Sequence, residues 1–185
     1  MTPDSAELAL LKRLEWAEIF AIWRSYEEQL PHWTTLYQER GFTSWEEWRA
    51  TYLKPLHLPE RSWGLYRVID PARSVPNFIC PPVRSLVPTL YADNRAPTFR
   101  ELVKKRPESA THGSTPEILK SGLLTDTTII GVLTDSGLVV VDGLHRCSAI
   151  AITAMRGLPV SLNLTIALAD YEPGELPLFG GERRK

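Results

Sequence analysis

The chain has 185 residues, a net charge of −1 and 43% hydrophobic residues, which is typical of a single globular domain. Because its acids and bases are interspersed, non-specific binding to nucleic acid or to an anionic membrane is disfavoured. The sequence shows neither a signal peptide nor an apolar run long enough to span a bilayer. Two cysteines, Cys80 and Cys147, are too few for a disulfide framework, so we expect a protein of the reducing cytoplasm with no membrane association.

The first part of the chain has a helical pattern. Apolar residues recur at helical spacing over residues 4–30, which predicts one long amphipathic helix stopped by Pro31. Ser44 and Glu47 have the spacing of a capping box and predict a second helix to about Leu53.

Residues 1–63 contain every tryptophan of the chain and form a predicted helical extension. The tryptophans are Trp16, Trp23, Trp33, Trp45, Trp48 and Trp63. Most are expected to be core residues. The alternatives are a surface for a protein partner or homodimer, or a platform that stacks a base or sugar.

The middle of the chain is rich in proline. Residues 54–97 contain eight prolines, so ordered loops are expected, with a short strand near Leu65–Ile69. Rigid polar loops commonly carry substrate contacts, and Arg84 is the candidate for a second anion contact.

Two short helices are predicted next. Thr98 and Glu101 form a capping-box pattern that opens a helix to about Lys105. Thr-Pro-Glu at 115–117 opens another helix, which Gly122 ends.

The last third has the clearest pattern. The segments are a strand at Thr127–Leu133, a turn at 135–137, a strand at Leu138–Val141, a helix at Leu144–Arg156 ended by Gly157, and a strand at Val160–Leu168. This order predicts an α+β fold, with a small mixed sheet and a helix packed on one face. Residues 171–185 are expected to be a loose tail.

A candidate anion site lies between the second of these strands and the helix. Asp142 and Gly143 break the strand, and His145 and Arg146 follow in the first helical turn. That turn has unpaired N–H groups and a positive dipole end, so two cations there are easiest to explain by a bound anion, with Asp142 as an N-cap. The alternative is that Asp142 only caps the helix and the two cations are solvated.

The segment Leu-Val-Val-Val-Asp-Gly-Leu-His-Arg-Cys-Ser-Ala-Ile-Ala, at 138–151, resembles the signature of the ParB/sulfiredoxin-like superfamily. The likeness extends over about residues 98–169, within a predicted domain at 64–170. It implies a ParB/sulfiredoxin-like fold and a nucleotide such as ATP, ADP or CTP. The implied nucleotide-binding residues are Gly143, Leu144, His145, Arg146 and Cys147, of which Gly143, His145 and Arg146 would contact phosphate.

The free serine kinases of this superfamily share the Asp-Gly-x-His-Arg form. That resemblance implies that Asp142 serves phosphoryl transfer, with Mg²⁺ held largely by the phosphates. Those kinases also use an upstream glutamate as base, for which Glu101 and Glu108 are candidates by position only.

The sequence also departs from the family. Sulfiredoxins place their catalytic cysteine directly before His-Arg, where this chain has Leu144, and Cys147 follows the motif instead. Cys147 is interpreted as a buried core residue, the alternative being a thiol with a pKa lowered by neighbouring cations. His32, His57 and His112 are isolated in sequence and are expected to be structural or exposed.

The expected function is nucleotide binding, with phosphoryl transfer to a small-molecule substrate or hydrolysis. A non-catalytic module that senses a nucleotide and signals to a protein partner is the alternative. A DNA-associated ParB-like role is disfavoured by the near-neutral charge.

Overall fold

The computed structural model describes residues 8–28, 30–91, 95–171 and 176–180, and its centre is one mixed sheet. The strands are β1 (Leu8–Leu14), β2 (Trp63–Val68), β3 (Asp126–Thr134), β4 (Gly137–Asp142) and β5 (Asn163–Asp170). Their spatial order is β1-β2-β5-β3-β4, and only β3 and β5 run parallel. The α+β class is thereby confirmed, whereas the ParB/sulfiredoxin-like fold stays a prediction.

Helices lie on both faces of the sheet. They are α1 (Trp16–Glu27), α2 (Pro31–Glu39), α3 (Trp45–Leu56), α4 (Pro71–Ser74), α5 (Val87–Leu90), α6 (Phe99–Lys105), α7 (Pro107–Ala110), α8 (Thr115–Ser121) and α9 (Leu144–Met155). The tryptophan-rich layer, α1 to α3, covers one face. The other face is covered by α9 and the shorter helices around it.

Neighbouring side chains of the inner strands are buried on opposite faces. Ile129 packs towards α9, whereas Ile130 packs towards the tryptophan-rich layer. The helix α9 therefore packs on one face of the mixed sheet, as predicted, and the helical N-terminal part of the chain covers the other. Burial on both faces explains the uninterrupted apolar run at 139–141, since each fully buried side chain of this size contributes about 1.5–3 kcal/mol.

The predicted helix over residues 4–30 is wrong for its first half. Leu8–Leu14 is the edge strand β1, which pairs antiparallel with β2 and carries an irregularity between Leu10 and Lys12. The helix begins only after Glu15, whose N–H donates to the Glu18 carboxylate at 2.9 Å. Residues 4–7 lie outside the described part of the chain.

Prolines begin helices in this fold more often than they end them. Pro31 is the first residue of α2, a helix that the sequence did not predict. Pro71, Pro88 and Pro107 lie in the first turns of the four-residue helices α4, α5 and α7, within and after the segment expected to be loops. Proline suits these positions because it lacks the N–H that would have no partner there.

The remaining elements match the sequence closely. The capping box of Thr98 and Glu101 opens α6, and Gly122 follows α8 with φ +92°. Ser44 caps α3 by accepting the Glu47 N–H at 3.1 Å, although the Glu47 carboxylate bonds to Thr43 instead of closing the box. The hairpin of β3 and β4, α9 and β5 are also confirmed.

Four tryptophans are fully buried, which confirms their core role: Trp23, Trp45, Trp48 and Trp63. Trp16 and Trp33 are half-buried against the same cluster. Among the described helices, none is long and apolar enough to cross a membrane.

Candidate functional site

The candidate site lies at the junction of β4 and α9. Asp142 ends the strand, Gly143 adopts φ +113°, and α9 begins at Leu144. A residue with a Cβ would be strained at this φ, and its Cβ would lie 2.6 Å from Ile129 Cγ2. The sharp turn therefore requires glycine at position 143.

The first turn of α9 has no side-chain cap. Asp142 was predicted as the N-cap, but the capping position is Gly143, which has no side chain to accept a hydrogen bond. The first intrahelical bond runs from the Cys147 N–H to Gly143 O at 2.9 Å. The preceding amides and the dipole of this 12-residue helix therefore make its N-terminus attractive to an anion.

Arg146 is held by protein groups on several sides. Its Nη1 donates to Thr128 O at 2.7 Å and to Thr127 Oγ1 at 3.2 Å, and its Nη2 donates to Asp142 at 2.5 Å. Its Cζ lies 4.2 Å from the ring centroid of Tyr26, and its side chain is 13% exposed. To present a paired fork to phosphate, this guanidinium would have to exchange some of these partners.

Asp142 belongs to a larger set of buried charges, together with Arg146, Glu27 and Arg49. Arg49 Nε donates to Glu27 at 2.7 Å, and Arg49 Nη2 donates to the same carboxylate. Burial raises the pKa of Glu27, and the nearby Asp142 carboxylate raises it further while Arg49 opposes this. We call these four residues the buried charge cluster; it contains two carboxylates and two guanidiniums.

His145 is a neutral imidazole in this fold. Its Nδ1 lies 3.0 Å from Ser114 Oγ, and its ring stacks on His112 with 6.1 Å between centroids. Burial, the nearby His112 and, to a smaller extent, Arg146 and His32 lower the pKa of His145 from 6.5 to about 4, against the opposing Asp142 carboxylate. At neutral pH the second predicted cation of the first turn is therefore uncharged.

The start of α8 holds His145 in place. The His145 ring lies against Gly113, where a Cβ would come within 2.3 Å of Nε2. Thr115 Oγ1 donates to His145 O at 3.5 Å. Ser114 precedes α8 but makes no side-chain cap to it, so its hydroxyl is directed to His145 instead.

Cys147 is a core residue. It is fully buried in the cluster between α9 and the sheet, and burial raises its pKa to about 12. The alternative of a thiol with a lowered pKa is therefore wrong, because loss of hydration outweighs the nearby Arg146 charge. Leu144, the first residue of the helix, is half-buried and packs against the same cluster.

Arg84 is anchored elsewhere. Its backbone N–H donates to Phe179 O at 3.0 Å, and its Nη2 donates to Leu178 O at 3.3 Å. The contacts described for this exposed side chain include none with α9 or with the β4 end. Its role as a second anion contact stays a prediction.

The two glutamates proposed as bases are both engaged by neighbours. Glu101 accepts the Thr98 N–H at 2.9 Å and an Arg95 hydrogen bond at 3.0 Å, and the first of these lowers its pKa most. Glu108 accepts from Arg106 at 2.7 Å, which lowers its pKa. The described contacts bring neither carboxylate to the site.

Several residues at the site had no signal in the sequence. Tyr26 Oη accepts the Thr128 N–H at 3.0 Å across 102 positions, and Ser114 meets His145 across 31. A serine before a helix is typical of an N-cap and does not by itself indicate a distant partner. Contacts between residues so far apart in the sequence depend on the tertiary fold, and no local sequence pattern predicts them.

Within the described residues, no three histidine, cysteine, aspartate or glutamate side chains are grouped so that they could hold a metal ion. Any Mg²⁺ would thus depend mainly on ligand phosphates. No protein-family model, no curated protein and no solved structure matches the chain.

Proposed function

We propose that the protein binds a nucleotide, or another phosphorylated small molecule, at the N-terminus of α9. The uncapped first turn after Gly143 carries this proposal, because its backbone N–H groups and dipole favour a phosphate. His145 lies in this turn and can bond a phosphate oxygen without adding charge.

Arg146 fits this proposal through a change of partner. Its guanidinium is paired with Asp142, so a phosphate could take the place of one carboxylate oxygen as acceptor. The exchange replaces one anion by another, so the half-buried guanidinium stays paired throughout.

The proposed activity is phosphoryl transfer to a small-molecule substrate, or hydrolysis, with ATP, ADP or CTP as the nucleotide. Asp142 would orient a nucleophile or a metal-bound phosphate, and Mg²⁺ would come with the phosphates. The compartment proposed is the cytoplasm, since Cys80 and Cys147 are both free thiols.

A non-catalytic nucleotide sensor is the second candidate, and one contact favours it. Asp142 is held by Arg146, and Arg146 lies on the Tyr26 ring of α1. A ligand that displaces the Asp142–Arg146 pair would therefore act directly on the tryptophan-rich layer. That layer would transmit the change to a protein partner or a second copy of the chain.

Nucleotide binding is expected to raise the melting temperature. A ligand present at 100 times its Kd stabilises the folded state by about 2.7 kcal/mol, which corresponds to several degrees. The measurement is a thermal-shift screen of inorganic phosphate, ATP, ADP and CTP, with and without Mg²⁺. Arg146→Ala is expected to lose most of the ligand-induced shift in melting temperature. Arg84→Ala tests whether Arg84 is a second contact for the anion.

The matched control is Arg156→Ala, because Arg156 is an exposed arginine at the other end of α9. It should keep the full ligand-induced shift. If none of these anions stabilises the wild-type protein, the proposed function fails.

Turnover separates the enzyme from the sensor. If Asp142 takes part in phosphoryl transfer, Asp142→Asn should reduce phosphate release roughly 100-fold or more while the circular dichroism spectrum is retained. Asp126→Asn, at an exposed aspartate that bonds to Asn163, is the control and should leave the rate unchanged. Binding without turnover in the wild type would leave the sensor as the function.

A further inference from the structure

Ser114 occupies an unusual position for a serine that precedes a helix. Serine is favoured there because its hydroxyl normally accepts an N–H of the first turn. Ser114 has φ −80° and ψ −1°, and its side chain makes no such cap to α8. The hydroxyl bonds instead to Nδ1 of His145, at 3.0 Å.

The imidazole is held in a position to act on this hydroxyl. Gly113 makes room for the ring on one side, His112 stacks against it, and Thr115 bonds to the backbone carbonyl of the same residue. The ring is neutral at pH 7, so the tautomer with its proton on Nε2 leaves the Nδ1 lone pair free to accept the Ser114 proton.

The pair also lies beside the proposed anion site. His145 contributes its backbone N–H to the uncapped first turn of α9, and its side chain bonds to Ser114. A phosphoryl group bound to that turn would therefore be close to a hydroxyl that already has a base as its hydrogen-bond partner. Nucleophile and base within hydrogen-bond reach are the usual arrangement for covalent catalysis.

We propose that Ser114 is a nucleophile that accepts the terminal phosphoryl group of a nucleoside triphosphate, with His145 as its base; this rests on the proposed anion site. In this step a bond forms between Ser114 Oγ and the terminal phosphorus. The bond from that phosphorus to the bridging oxygen breaks, and the nucleoside diphosphate leaves with its electron pair. The Ser114 proton moves to His145 Nδ1, and the product is phosphoserine.

The ligand would also strengthen the base. A phosphate at the first turn adds negative charge near the imidazole, where the Asp142 carboxylate already acts to raise the pKa of His145. A base becomes more effective as its pKa approaches the working pH, so Ser114 would be activated mainly when the anion is bound.

The test is to incubate the full chain with ATP and Mg²⁺ and to locate any phosphate by peptide mass spectrometry. We expect phosphate on Ser114 of the wild type and of Ser121→Ala, and none at this position in Ser114→Ala. Ser121 is the matched control, since it is an exposed serine at the other end of α8. His145→Gln should slow labelling by roughly 100-fold or more.

Thermal shift with inorganic phosphate and ATP, run on the same samples, separates the two proposals. Ser114→Ala should keep the stabilisation that phosphate gives to the wild type. If the wild type is stabilised but carries no phosphate on Ser114, or carries it only elsewhere, the nucleophile proposal is overturned and the anion site stands. If neither phosphate nor ATP stabilises the wild type and Ser114 stays unmodified, both proposals fail.

Discussion

Replacing Arg49 by alanine is expected to lower the free energy of unfolding by about 3–5 kcal/mol. Arg49 is 4% exposed and pairs through two nitrogens with Glu27, which is 5% exposed. Its removal would leave a buried carboxylate without its partner cation. It would also empty the space between the Trp48 and Tyr52 rings, whose centroids lie 3.9 and 4.5 Å from the guanidinium carbon.

Urea unfolding at pH 7 measures this loss, and two controls identify its cause. The double variant Glu27→Gln/Arg49→Met should recover most of the stability, because it removes both charges and keeps an acceptor for Trp45 Nε1. Lys12→Ala, which breaks an exposed ion pair with Glu18, should have no measurable effect. A single Arg49→Ala variant as stable as the wild type would contradict the assignment of a buried charge cluster.

The second large effect is a loss of stability in acid that depends on His145. The folded-state pKa of His145 is lowered from 6.5 to about 4 by burial and by the nearby His112. Between these values the unfolded chain binds a proton that the folded chain does not, so lower pH favours unfolding. The stability that depends on a neutral His145 is fully present above pH 6.5. Its loss on approaching pH 4 lowers the free energy of unfolding by roughly 3 kcal/mol.

The contribution of His145 is isolated by comparing urea unfolding of the wild type and His145→Gln at several pH values between 7 and 4. The neighbouring His32, His112, Asp142 and Arg146 are present in both proteins, so the difference between the two curves reports the replaced imidazole. The difference in free energy of unfolding between the wild type and His145→Gln should become smaller in acid. Glutamine is the replacement because its amide can still bond to Ser114. An exposed histidine, His57, supplies the control variant His57→Asn. Curves that stay parallel for His145→Gln would disprove a neutral buried imidazole.

Local signals predicted the second half of the fold well. The capping box at Thr98, the glycine after α8, and the Asp-Ser-Gly turn between β3 and β4 each act within a few residues, so a linear pattern reports them. Strand β1 was missed for the opposite reason. Its leucines also fit helical spacing, and what makes the segment a strand is pairing with β2, far along the chain.

The candidate site divides in the same way. The strand, the glycine and the helix after Asp142 could be read from consecutive residues. The charges at the site could not be predicted from consecutive residues. His145 is neutral because of burial and the nearby His112. Arg146 is paired because Thr127, Thr128 and Asp142 surround it. Tertiary packing therefore decides which of the predicted cations is available to a ligand.

The position of β1 restricts how the chain could be shortened. The three helices of the tryptophan-rich layer connect two adjacent strands, so the polypeptide leaves the sheet at Leu14 and returns to it at Trp63. A fragment starting at β2 would have that strand as its rim, with one row of N–H and C=O groups exposed along Trp63–Val68. Such a fragment would also lose α1 to α3, so it would expose one apolar face of the sheet together with this rim.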